Sequence, residues 1–132
     1  MTAIHVAVAV IINDDKQVLL ALRQKHQHQG GLWEFPGGKV EAEESIFDAL
    51  VRETKEELAV TVITAKPLIK IAHDYSDKSV VLDVWCVDEF AGTPQGREGQ
   101  RLRWSTISDL TADDFPAANV AIIDALRQET IK

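Results

Sequence analysis

Glu53, Glu56 and Glu57 stand at i, i+3 and i+4 in a stretch of helical periodicity, a spacing that gathers three carboxylates on one helix face. Held there they repel one another, and only Arg52 and Lys55 bring positive charge to the same stretch. A hard divalent cation removes the conflict. Carboxylate and carbonyl oxygens suit Mg²⁺, which keeps part of its water shell and also binds substrate phosphates. Arg52, four residues from both Asp48 and Glu56, can hold a ligand carboxylate in place from behind. Taken alone, a glutamate-rich face is usually just solvated.

The wider spacing changes that balance. Gly38 is followed after five residues by Glu44, after seven more by Arg52-Glu53, and then by Glu56-Glu57. This is the pattern GX5EX7REUXEEXGU, and on it the chain resembles the Nudix family. Six fixed positions at about one in fifteen each make a chance match roughly one in 100,000 for a chain of this length. Two positions depart from the pattern. Thr54 replaces a bulky aliphatic, and its methyl can still pack. Ala59 stands where the family has the glycine that suits a left-handed helix end, so a strained or differently shaped helix exit is expected there.

The resemblance extends over nearly the full length to the MutT-type branch. Glu34-Phe35-Pro36-Gly37-Gly38-Lys39 is similar to that branch's lead into the box, and the run from Asp113 to Asn119 is similar to its C-terminal signature. The resemblance implies a nucleoside triphosphate pyrophosphohydrolase that turns 8-oxo-dGTP into the monophosphate and pyrophosphate, with Mg²⁺ or Mn²⁺ as cofactor. It further implies metal binding by Gly37, Glu53, Glu56, Glu57 and Glu98, with Glu53 or Glu98 as catalytic base toward water. Nucleotide contacts are implied for Arg23, His28, Glu34, Phe35, Pro36, Gly37, Asp77, Lys78 and Asn119, with Lys78 standing where an arginine is usual. Glu44 is expected to brace loop and helix. For Glu98 the residues alone favour a solvated loop acid. The histidines of His26-Gln27-His28 have no third partner in sequence for a transition metal.

Asn119 has chemistry of its own. An Asn amide offers one acceptor and one donor side by side, the arrangement that reads a purine edge. Guanine shows two acceptors on that edge, whereas its 8-oxo form carries a hydrogen at N7 and so matches an amide. The residues alone favour Asn119 as the cap of the last helix, and the resemblance to the MutT-type branch reverses that balance.

These side chains need a frame. Residues 4–12 alternate Ile4, Val6, Val8, Val10 against His5, Ala7, Ala9, Ile11, apolar on both sides, which predicts a central strand. Turn chemistry at Asn13-Asp14-Asp15 leads to a strand over 18–22, a loop over 24–31 and a short strand over 33–35. Pro36-Gly37-Gly38 predicts a sharp, exposed turn. A helix over 45–58 has Ser45 as N-cap and a stripe of Phe47, Leu50, Val51, Thr54 and Leu58. Strands are expected at 60–63, 68–72, 80–87 and 102–104, and a helix at about 119–130 with Ile122, Ile123 and Leu126 inward. The pattern predicts one α/β domain over residues 1–132, a mixed β-sheet flanked by helices, and the resemblance implies the Nudix-type α/β/α sandwich.

Bulk properties narrow the function. The chain is 132 residues long, 45% hydrophobic and 27% charged, ordinary for one globular domain. A net charge of -7 with no basic run argues against nucleic acid as partner but not against a small phosphate ligand carried with a cation. No apolar run reaches membrane-spanning length and no leader pattern opens the chain, so a cytoplasmic protein without a membrane partner is expected, and a monomer is the expected assembly. Cys86, the one cysteine, sits in an apolar stretch and predicts a buried, inert thiol. Three alternatives stay open: a Nudix hydrolase of another nucleotide such as a pyrimidine triphosphate, a non-catalytic nucleotide-binding module, and a structural metal-binding protein.

Overall fold

The computed structural model describes residues 3–24 and 30–131, with side chains through residue 129. Strand β1 (Ile4–Ile11) is central, as its two-sided apolar pattern requires, and it pairs in parallel with β6 (Ser79–Ala91), Ile4 opposite Val80 through Ile11 opposite Val87. Antiparallel partners extend this sheet on both sides in the order β4-β1-β6-β5, where β4 is Gly37–Lys39 and β5 is Thr61–Asp74. A second, antiparallel sheet has the order β3-β2-β7, formed by Trp33–Glu34, Gln17–Leu22 and Leu102–Thr106.

The alternation along β1 sorts the core into two layers. Val8 and Val10 join Phe35, Phe115, Ile122, Ile123 and Leu126 beneath helix α2 (Ala117–Ile131). Ala7, Ala9 and Ile11 face the other way, against Ala49, Leu50 and Leu58 of helix α1 (Ile46–Leu58). The small alanines of β1 let α1 sit close to the sheet. A mixed sheet thus lies between two helices, the expected α/β/α arrangement.

Several local expectations are corrected. Gly37-Gly38 is not an exposed turn but a strand, paired to β1 through Val8 opposite Gly37 and Ala7 opposite Gly38. Neither glycine needs a positive φ; both are there for clearance. A side chain on Gly37 would run into the Ala7 carbonyl, and one on Gly38 into the Glu53 carboxylate. The two predicted strands at 60–63 and 68–72 are one long β5, kinked by register shifts beside Val62, Thr64 and Pro67. Polar Thr64 and Lys66 and the proline break the sequence pattern, but an edge strand tolerates a missing donor and bulges. On α1, Ala49, Leu50, Thr54 and Leu58 are buried while Phe47 is exposed beside Trp85, so the inward face is rotated from the expected stripe. Helix α2 starts at Ala117, which places Asn119 inside its first turn rather than at its cap.

Both ends of α1 follow from sequence. The Ser45 hydroxyl accepts from the Asp48 N–H at 3.0 Å. Ala59 is left-handed (φ 61, ψ 30) and its N–H still reaches the Lys55 carbonyl at 3.0 Å, the strained exit expected for alanine at a glycine position. Cys86 is buried, and burial pushes its thiol pKa up, as an inert core thiol requires.

Candidate active site

Arg52 organises the start of the site. Its guanidinium grips Glu44 through two bonds, Nε to Oε2 at 2.8 Å and Nη2 to Oε1 at 2.9 Å. It also donates to the Lys39 carbonyl at 3.0 Å, which ties helix α1 to β4. A third contact, at 2.8 Å, holds Glu53, and a longer one of 3.5 Å reaches Glu56. The bonds from Arg52, helped by the Glu41 N–H, hold the Glu44 carboxyl down at about 2. Glu44 therefore braces loop and helix, and Arg52 fixes Glu53 over the bare backbone of Gly38.

One turn further on, Glu57 borders a polar pocket of about 320 Å³ with Arg23, Glu34, Gly37, Glu98 and Gln100. Burial pushes the Glu57 carboxyl up to about 8, repulsion from Glu53, Glu98 and Glu34 adds to the rise, and a bond from the Gly37 N–H opposes it. Four acids thus share one field. Among the described residues, no three His, Cys, Asp or Glu side chains close tightly on a single point. Glu57, Glu34 and Glu98 border a space instead, with Glu53 and Glu56 on the wall of neither cavity, and such a space suits an ion that retains waters and shares phosphate oxygens. The donors are all oxygen, and a divalent cation relieves the repulsion that raises Glu57, so these residues fit Mg²⁺ or Mn²⁺. Glu56 is the most exposed of the box acids.

The loop that carries Glu98 is pinned to the end of α1. The Glu57 carbonyl accepts from the Arg97 N–H at 3.0 Å and from Gln100 Nε2 at 3.5 Å. Gln100 Oε1 in turn accepts from the Glu98 N–H, and Gln24 donates to the Glu98 carbonyl, both at 2.9 Å. Gln100 and Gln24 were not singled out by sequence reasoning, since their part depends on partners 43 and 74 residues distant.

A second cavity, about 190 Å³, opens beside the first, and Arg23, Glu34 and Gly37 belong to both walls. Its lining is largely apolar, with Phe35 stacked on Phe115 at 5.6 Å. Asn119 lines it, 9% exposed, and its Oδ1 accepts a long 3.5 Å bond from the Phe35 N–H. Its amide nitrogen is a donor for anything in the cavity. Arg23 donates to Glu34 at 2.7 Å. Burial raises the Glu34 pKa, Arg23 pulls against it, Glu98 adds to it and Lys78 opposes it. Lys78 is on the wall of this cavity and Pro36 on that of the acid pocket. Asp77 lies in the turn between β5 and β6 and is on neither wall; His28 lies outside the described residues. Lys39, the last residue of the lead into the box, is also on the wall, as is Tyr75, which carried no sequence signal.

A sandwich that sets an acid-lined pocket next to a largely apolar cavity fits a metal-assisted hydrolase of phosphorylated compounds. The chain belongs to the NUDIX domain family, whose profile matches residues 7–125. Hydrolases of this family generally require a divalent metal ion. The chain is 34% identical over 128 residues to the 8-oxo-dGTP diphosphatase of Escherichia coli K12, spanning 97% of this chain and 99% of that one. It is also 37% identical to the CTP pyrophosphohydrolase of the same organism, over 89% of this chain and 87% of the other. Among solved structures, MutT from a study of Aliivibrio salmonicida and Vibrio cholerae superposes with a TM-score of 0.81 at 38% identity, covering 96% and 99% of the two chains. No helix among the described residues is long and apolar enough to cross a membrane.

Proposed function

We propose that the protein hydrolyses 8-oxo-dGTP to 8-oxo-dGMP and pyrophosphate, clearing an oxidised nucleotide from the precursor pool. The observation that carries this reading is Asn119, buried on the wall of an apolar cavity that shares Arg23, Glu34 and Gly37 with the acid pocket. One nucleotide then spans both spaces, base against Phe35 and Asn119, phosphates toward the acids, with Arg23 and Lys78 on the walls and Asp77 in the adjoining turn. The amide matches the donor-acceptor edge of an 8-oxopurine and mismatches that of guanine.

Gly37 through its carbonyl, Glu53, Glu56, Glu57 and Glu98 would hold the cation, Mg²⁺ or Mn²⁺, which would supply positive charge against the phosphates. Glu53 or Glu98 takes the proton from the attacking water. Glu53 is oriented for this by Arg52 and Gly38; Glu98 borders the pocket itself. The bond between the α and β phosphates breaks, and both products leave as anions. The acidic surface supports free nucleotide rather than nucleic acid as ligand, and we read the protein as a cytoplasmic monomer of one domain.

A second reading, CTP as substrate, is favoured by the 37% identical CTP pyrophosphohydrolase. Competition between dilute 8-oxo-dGTP, dGTP and CTP, with Mg²⁺ and release of pyrophosphate as readout, separates the two. We expect kcat/KM for 8-oxo-dGTP to exceed the others by at least about 100-fold. Equal rates, or preference for CTP, overturn the substrate assignment.

A further inference from the structure

Helix α2 begins without a side-chain acceptor on the residue before it, Pro116, and the first N–H groups of a helix have no partner inside it. The Asn119 N–H turns back to the Pro116 carbonyl at 2.9 Å. The Ala118 N–H is met from a distance: the Tyr75 hydroxyl, 43 residues away, accepts it at 2.9 Å. We infer that Tyr75 is a positioning residue for base selectivity, capping α2 from the β5–β6 turn and so fixing the Asn119 amide in the cavity.

Three features of the turn make it a firm anchor. The Tyr75 N–H donates to the Lys78 carbonyl at 2.8 Å, the Ser79 hydroxyl donates to Asp74 at 2.6 Å, and the Tyr75 ring packs edge-on to His73 with centroids 4.6 Å apart. The ring also lines the cavity alongside Lys78 and Asn119. Turn, helix start and cavity wall are therefore one unit, packed in one core cluster and tied at the first turn of α2 by the Tyr75 hydroxyl. An amide reads donor against acceptor only while its backbone is held, because a small rotation of the first turn of α2 moves both polar atoms off the base edge. An apolar ring alone would fill the same wall, yet Tyr75 carries a hydroxyl, and its oxygen accepts from the backbone N–H of the residue preceding Asn119.

The inference rests on the proposed substrate, and its test is built to fail separately. Tyr75→Phe keeps the ring and removes the hydroxyl that accepts from Ala118. We expect the ratio of kcat/KM for 8-oxo-dGTP over dGTP to fall about tenfold, through KM for the oxidised nucleotide rather than through kcat. Exchange of the Ala118 amide hydrogen, followed by NMR, should quicken in the same variant. In an Asn119→Ala background, Tyr75→Phe should leave the ratio unchanged, because both act through one group. A ratio within twofold of wild type, equal losses on both nucleotides, or a further tenfold loss in the double variant overturns the inference. The wild-type ratio by itself judges the substrate. Should the wild type prefer another base, the variant is read on that preferred and disfavoured pair, where an unchanged ratio still overturns the tether.

Discussion

The two halves of the site are built in opposite ways. The acid half comes from one continuous stretch, β4 through α1, in which Gly38, Glu44, Arg52, Glu53, Glu56 and Glu57 are fixed to each other by helical spacing and by a single guanidinium. The cavity proposed for the base is assembled from β2's end, β3's end, the β5–β6 turn and α2, through Arg23, Phe35, Tyr75, Lys78 and Asn119. Local order serves chemistry that any triphosphate needs. Long-range assembly serves discrimination, where small shifts between elements alter what is accepted.

Glu53→Gln should have the largest effect, lowering turnover of every nucleotide by about 10³-fold or more, since it removes a charged ligand and a candidate base together. Circular dichroism and melting should stay near wild type. Near-normal turnover would break the assignment of chemistry to the helical half. Asn119→Ala should act on the other half alone: the preference for 8-oxo-dGTP over dGTP is expected to fall by about 100-fold. Equal loss on both nucleotides, measured as kcat/KM, would erase the division between the halves.

The pH dependence sharpens the same contrast. Folding raises the Glu57 carboxyl from 4.5 to about 8 in the metal-free protein. An acid raised on folding contributes stability that is present below its unfolded pKa and lost as pH rises through the folded one. Chelator-treated protein should therefore melt at lower temperature as pH climbs from about 5 to about 8, while the melting gain on adding Mg²⁺ grows over the same window. A flat gain across that range contradicts the raised carboxyl. The smallest effect is expected at the helix exit, where Ala59→Gly should stabilise by roughly 0.5–1 kcal/mol in urea titrations by relieving the left-handed backbone. Loss of stability there would mean the Ala59 methyl packs usefully.

What could be read from sequence follows this division. The box was legible because its meaning lies in intervals along one helix. The central strand β1 was legible because it is apolar on both faces. The strand at Gly37–Lys39 was not, because glycine carries no strand signal and its pairing is dictated by β1 and by the need to admit Glu53. The merger of β5 was hidden by Pro67, which an edge position excuses. Asn119 could be singled out by type, but its escape from a capping role depends on α2 starting two residues earlier than its apolar pattern suggests. Tyr75 and Gln100 act through backbone groups 43 residues away, which no local pattern encodes.

Arg23, Glu34 and Gly37 stand between the two spaces and belong to both. A partition with an occupant on each side makes their affinities reciprocal: whatever factor the cation adds to the hold on the base, the base returns to the hold on the cation. Choice of nucleotide and choice of ion are then one equilibrium, so a selectivity measured with one metal is a property of that pairing and not of the protein alone.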